Sequence, residues 1–344
     1  MHDTTPVNVD VRRDTNLALL GVGVAVMAWG ASGAVIKAID MDSLAVGFWR
    51  FLIYVVVLAG WMRLRGATLD LHTLTASAAG GVSLGLDVVF FFSAVKLTNV
   101  VNATTISAMQ PVIVAIVAAR FFGERIRGRD IVAALVAIVA VIVVVIESSG
   151  TPEWSPRGDL LAVGAVFAWS GYFIFSKRSK GVLTSQQYTA GTGFWTASIC
   201  LVAGIAFRQD MSPPAGSDWF LLLGLTLGAG ILGHSIMNWS LVRIPLWLGS
   251  VLTLLIPVIG AVVAWIFLDE ALSAVQIVAI LVVVGALASI VLSQEQPEPV
   301  RAPQAPTRPH LRAESRPNAT PGQSRVQRRG GRPDPTEPDA RRTA

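Results

Sequence analysis

Charge is scarce in this chain. Asp, Glu, Lys and Arg make up 14% of its 344 residues, against roughly 25% in an average soluble protein. A chain this long and this poor in charge cannot dress a solvated surface, so a soluble fold is excluded and a membrane protein is expected. Cysteine is nearly absent as well. The single Cys200, set in an apolar run, excludes a disulfide framework and a cysteine-rich metal site. The sequence holds no Walker loop, no nucleophile elbow and no metal-ligand cluster. No cofactor and no metal are therefore expected, and transport, if that is the activity, must run on a gradient. The net charge of +5 sits in short connections and in the tail rather than on a domain, so no nucleic-acid partner is expected. The glycines of "GAGILG" at 228–233 imitate a dinucleotide fingerprint, but no βαβ unit surrounds them. They are expected to let helices approach closely, as are the pairs Gly81–Gly85 and Gly224–Gly228.

What the chain has instead is apolar length. Ten runs, at 17–38, 44–62, 75–95, 100–122, 130–147, 158–176, 187–207, 217–241, 247–267 and 273–292, are long enough to cross a bilayer as helices. The first follows Arg12 and Arg13. It is too long for a signal-peptide core and reads as a retained helix. The expected fold is an all-α integral membrane protein of ten transmembrane helices, multi-pass in the cell membrane with the lipid bilayer as its surroundings. With the N-terminus inside, twelve Lys and Arg fall in inner connections and four (Lys37, Lys96, Arg157, Arg208) in outer ones. That bias places both termini in the cytoplasm. A short N-terminal segment covers 1–16. The tail, 293–344, holds ten of the 18 prolines and ten Arg with few bulky apolar residues, a composition expected to stay disordered. Contact with anionic headgroups is a second reading of it, weakened by six acidic residues.

The chain also repeats itself. "PVIVAIVAARFFGE" from Pro111 and "PVIGAVVAWIFLDE" from Pro257 lie 146 residues apart. "GFWR" at 47–50 answers "GFWT" at 193–196, "AW" at 28–29 answers "AW" at 168–169, and "SAVK" at 93–96 answers "SLVR" at 240–243. Five helices (17–147) thus match five (158–292) across a connecting loop at 148–157. Five is odd, so the second copy enters the membrane from the opposite side. That makes two inverted repeats, an arrangement many secondary transporters use for alternating access.

These residues resemble the EamA-type branch of the drug/metabolite transporter superfamily. The pieces that carry the resemblance are Trp29-Gly30, Arg50, Pro111 through Glu124 and Pro257 through Glu270, over about residues 17–292. The resemblance implies ten helices, cytoplasmic termini and a central cavity lined mainly by the first, third, fourth, sixth, eighth and ninth. It also implies movement of small metabolites.

Ionisable groups at membrane depth are costly and so are candidates for function. Asp87 and His234 occupy matching positions in the third and eighth helices, each nine residues before a basic helix end. Nine residues rise about 13 Å, roughly half the hydrocarbon thickness. They are expected to bind substrate or a proton; a structural helix–helix hydrogen bond is the alternative. Arg50, whose repeat counterpart is Thr196, suits an anionic group, or else snorkels or pairs structurally. Trp29 and Trp169, at matching places in the first and sixth helices, read either as cavity walls or as interfacial anchors. Pro111 and Pro257 should kink their helices, with or without a gating role. Glu124 and Glu270 end a helix and precede the next, where each should cap the following N-terminus. The leading reading is a secondary transporter of a small organic metabolite, an amino acid or related compound, most simply an exporter and open to proton coupling. A lipid or lipid-linked substrate is one alternative; a membrane interaction protein acting through the basic tail is another. An intramembrane enzyme finds only the Asp87–His234 pair for support and is not expected. Oligomeric state is left open, a homodimer included.

Overall fold

The computed structural model describes residues 6–98, 100–149, 155–267 and 270–294, with the side chains of 6–12, 34, 37, 100, 101 and 149 excepted. Most of the expected tail, from 295 onward, and residues 150–154 of the connecting loop lie outside the described residues, as do the side chains of Arg12 and Lys37 that the charge count used.

Among the described residues every regular element is helical, and ten helices are long and apolar enough to span a bilayer. They are α1 (Arg13–Gly33), α2 (Ser43–Leu64), α3 (Leu71–Leu97), α4 (Asn102–Phe121), α5 (Gly128–Ser148), α6 (Pro156–Arg178), α7 (Ser185–Ala206), α8 (Asp218–Leu241), α9 (Leu246–Phe267) and α10 (Ala274–Gln294). The first helix itself runs from Pro6 to Lys37. Hydropathy sorts them by depth in the bundle. The two most apolar, α5 and α10, have mean hydropathies of 3.0 and 2.8. They pack against each other and expose Val132, Val139, Val278 and Leu281, as lipid-facing residues must. The least apolar, α7, has 1.4 and half of its window buried, because its polar side chains find partners among neighbouring helices.

Neighbours cross between the halves. The span α1 lies against α8 and α9, while α6 lies against α3 and α4. In the same way α2 contacts α7 and α8, and α7 contacts α2 and α3. Two pairings lack a counterpart at the same strength: α6 also meets α8 and α9, whereas α1 has no comparable contact with α3 or α4.

Small residues set some of these crossings. A Cβ on Gly30 of α1 would fall 2.6 Å from Cβ of Ile259 on α9. At Gly81 and Gly85 of α3 it would fall 2.5 Å from Trp195 Cβ and 2.8 Å from Ile199 on α7. The expectation for Gly224 and Gly228 is corrected: a Cβ there meets nothing within 4 Å, so these two face away from helix contacts. Within "GAGILG", Gly233 does admit a close neighbour, the indole of Trp29.

Three spans are irregular. In α4, helix runs Val100–Ser107 and resumes at Gln110–Phe121; in α9, it runs Leu246–Leu252 and resumes at Leu255–Phe267. Both breaks fall just before the repeat prolines, Pro111 and Pro257. A proline ring collides with the carbonyl four residues earlier, here that of Ser107 or Thr253, and the chain crosses the gap with tighter turns such as Met109 N–H to Ile106 O and Ile256 N–H to Thr253 O. The third irregularity is a π-helical stretch, Thr226–Gly233, in the middle of α8. Such wide turns occur mostly at functional sites.

Candidate functional site

The broken and widened turns surround one cavity of about 400 Å³. Its walls come from α1, α3, α4, α6, α8 and α9, the set the resemblance implies, with two additions: Arg50 and Phe51 from α2, and Val141 from α5. Ser107 and Thr253, each four residues before a repeat proline, both line it, and Pro257 lines it too. Pro111 is buried outside the lining.

Trp29, Arg50, Asp87, Trp169 and His234 all reach this cavity. Trp29 and Trp169 meet edge to face at 5.3 Å, and Trp29 lies 5.1 Å from the His234 ring. These tryptophans are therefore a wall, not an interfacial belt. The Trp29 indole N–H donates to the Ala229 carbonyl at 2.9 Å. That carbonyl belongs to the π-helical stretch, so the widened turn fixes the ring.

Asp87 and His234 share the cavity without touching. The His234 Nδ1 is hydrogen-bonded to the Tyr172 hydroxyl at 3.0 Å instead. Among the described residues Asp87 has no hydrogen-bond or ion-pair partner. Arg50 is in the same position. Its guanidinium lies 5.1 Å from the Phe51 ring centroid and its buried Nε finds no acceptor. It neither snorkels to an interface nor pairs. The cavity thus presents one carboxylate and one guanidinium, each without a protein partner, beside a wall of aromatic rings.

A polar layer lies behind His234, whose ring is 6.2 Å from that of Tyr54 and 5.6 Å from that of Tyr172. Tyr54, Tyr172 and Tyr188, all the tyrosines of the chain, are buried together, with Tyr172 and Tyr188 stacked at 6.1 Å. Beyond them the Ser176 hydroxyl donates to Asn238 Oδ1 at 2.8 Å, and Asn238 Nδ2 donates to Thr189 Oγ1 at 3.0 Å. This chain ties α6, α8 and α7. Sequence reasoning missed it, although one signal was present: tyrosine favours membrane interfaces, and here all three fall inside spans. Gln110 was also missed. Its Oε1 accepts from Thr253 Oγ1 at 3.3 Å, bridging the two broken helices.

Glu124 requires a correction. It does not cap α5, the helix that follows it. Its carboxylate accepts the backbone N–H of Leu246 at 2.8 Å and of Trp247 at 3.2 Å, the first turn of α9. A carboxylate suits any nearby helix N-terminus, and folding brings one 122 residues away closer than its own neighbour. Glu270 is exposed, and its N–H bonds Ala264 O at 3.4 Å, as that of Glu124 bonds Ala118 O at 3.1 Å.

This architecture is that of a multi-pass membrane transporter. The EamA-like transporter family is matched over residues 16–146 and 156–292, and the chain belongs to it. It is 26% identical over 290 residues to a probable amino-acid metabolite efflux pump of Escherichia coli, covering 80% of this chain and 93% of that protein. The corresponding pump of Salmonella typhimurium is 26% identical over 287 residues, with the same coverage. An aromatic amino acid exporter, YddG of Ancylobacter novellus, is 29% identical over 156 residues, 44% of this chain and about half (52%) of that exporter. A solved crystal structure aligns with a TM-score of 0.71 at 22% identity, covering 81% of this chain and 99% of its own, and supports the fold alone.

Proposed function

We propose that this protein exports a free amino acid or a close relative, bound in the cavity between the two halves and released by alternating access. The observation that carries the reading is the pair of unpartnered opposite charges in one aromatic-walled cavity. A buried charge without a partner is costly, and a zwitterion would answer both: its carboxylate toward Arg50, its ammonium toward Asp87. An aromatic or apolar side chain would lie against Trp29 and Trp169. The names of the relatives, an aromatic amino acid exporter and amino-acid metabolite efflux pumps, agree with that chemistry.

Alternating access is supported by what differs between matched positions. Ile36, Phe91 and Thr104 line the cavity and are partly exposed. Their repeat counterparts at spacings of 140, 147 and 146 are Ser176, Asn238 and Ser250. These are buried, at 0%, 1% and 0% exposure. This difference is what one open end and a shut counterpart would produce. The crossed neighbour pattern fits two inverted repeats, for which both arrangements are nearly equal in energy. The Lys and Arg bias supports an open end outside the cell and termini inside it. Asp87 is the residue best placed to couple a proton.

The test is flux in proteoliposomes with amino acids, their amides and esters, sugars and nucleosides, with and without a pH gradient, beside Asp87→Asn. Saturable amino-acid flux, with its pH dependence lost in the variant, is expected. pH-coupled flux that survives Asp87→Asn in full would remove the proton role. Flux confined to lipid-linked compounds would replace the amino-acid reading.

A further inference from the structure

The shut end is held by a polar cluster that lies outside the cavity. Glu124 follows α4, Lys177 ends α6, and residues 242–245 join α8 to α9. The Glu124 carboxylate takes both free N–H groups of Leu246 and Trp247. Lys177 Nζ lies 3.8 Å from Glu124 Oε1 and also donates to the Ile244 carbonyl. Both side chains are mostly buried. Three helices from both halves are therefore joined at one point, through bonds between α4, α6 and the first turn of α9.

That turn is connected to the cavity. The stretch Leu246–Leu252 is buried throughout and ends at the break beside Thr253 and Leu254, which line the cavity wall. Swinging this half-helix away would uncover Ser250, which is fully buried in it. It cannot swing while two of its N-terminal N–H groups sit on a carboxylate anchored to α4. A hinge position exists at the break before Pro257, where only tighter turns such as Leu254 N–H to Val251 O and Ile256 N–H to Thr253 O carry the chain across.

We propose that Glu124 and Lys177 are the latch of this end: they hold the first half of α9 shut, and exchange of the cavity to the other side requires their release. The proposal rests on the alternating-access reading. Glu124 is a positioning residue, acting on the cavity through α9, and Lys177 holds its carboxylate in place.

The test reads sidedness, which a general loss of stability cannot imitate. Cys200, the single native cysteine, is replaced by Ala. One reporter, Thr104→Cys, marks the open end and another, Ser250→Cys, marks the shut end. Full-length protein is placed in nanodiscs, where a polar maleimide reaches both faces, and labelling rates are compared. With the latch intact, position 104 should label and position 250 should be protected. Glu124→Gln and Lys177→Met should speed labelling at 250 by about tenfold, the equivalent of one charge-assisted hydrogen bond, and slow it at 104. Lys177→Arg should keep the pattern of the intact latch. Unchanged rates, or rates that rise together at both positions, would overturn the latch. If the intact chain carries flux and substrate shifts its reporters while the latch variants change nothing, the latch falls and the carrier reading stands. If the intact chain shows neither flux nor a substrate response, both fall.

Discussion

Replacing Arg50 by Gln tests the site through a single charge. The guanidinium makes no hydrogen bond or ion pair among the described residues, and only the Phe51 ring lies over it. A substrate carboxylate arriving there displaces no protein acceptor, so its interaction is not offset by a bond that must first break. A hydrogen bond to a charged group contributes about 1.5–3 kcal/mol net, or roughly 10- to 150-fold in affinity. Arg50→Gln should therefore raise the apparent KM for a free amino acid by a factor in that range. The C-terminal amide of the same amino acid has no carboxylate to lose. Its KM, already high in the unaltered protein, should move by less than about twofold if the sites are otherwise independent. Arg50→Lys restores the charge without the two-pronged geometry and should fall between. The assay is counterflow in proteoliposomes with acid and amide side by side. Equal losses for the two compounds would mean that Arg50 supports the Phe51–Tyr54 wall and does not meet the carboxylate. No change for either would remove it from the site.

Other perturbations follow from the same contacts. Gly30→Ala places a methyl 2.6 Å from Ile259 Cβ and 2.9 Å from the Ile256 carbonyl, well inside the 3.5–4.0 Å of normal contact, and should cost about 1–3 kcal/mol. Ile259→Ala keeps its own Cβ and should rescue the melting temperature in detergent only partly, while Ile259→Gly should rescue more. Tyr172→Phe leaves His234 Nδ1 without its 3.0 Å partner and should destabilise by about 1–3 kcal/mol. Removing both groups, as Tyr172→Phe with His234→Phe, should cost less than the single change if the bond is structural, as thermal unfolding of the three variants would establish. Deleting 295–344 should leave flux intact; its loss would favour a function borne by the tail.

The spans were legible because a bilayer demands long apolar segments. The run read as 75–95 is the core of Leu71–Leu97, and that read as 187–207 nearly coincides with Ser185–Ala206. The cavity was legible wherever it uses charge or tryptophan, since such residues stand out against apolar sequence: Trp29, Arg50, Asp87, Trp169 and His234 are all in it. The Ser176–Asn238–Thr189 chain was not, because small polar side chains are common in spans and only folding pairs them. Glu124 was correctly marked as a helix end but joined to the wrong helix, for sequence distance says nothing about which N-terminus comes nearest. The prolines announced disruption without showing that the break would come a few residues earlier, at Ala108–Met109 and Thr253–Leu254.

The unequal polar dressing of the two halves bears on kinetics. Arg50 answers Thr196 and Asp87 answers His234, so under the proposed alternating access the two openings would not be mirror images in free energy, and an empty carrier would dwell longer in one of them. Apparent affinity scales with the fraction of molecules presenting a site. Half-saturation should then differ on the two faces of the membrane even if the site itself is unchanged. Such a lean cannot choose a direction of net movement, because microscopic reversibility ties every forward cycle to its reverse. A carrier that empties the cell of a solute does so because the solute, or an ion travelling with it, runs downhill.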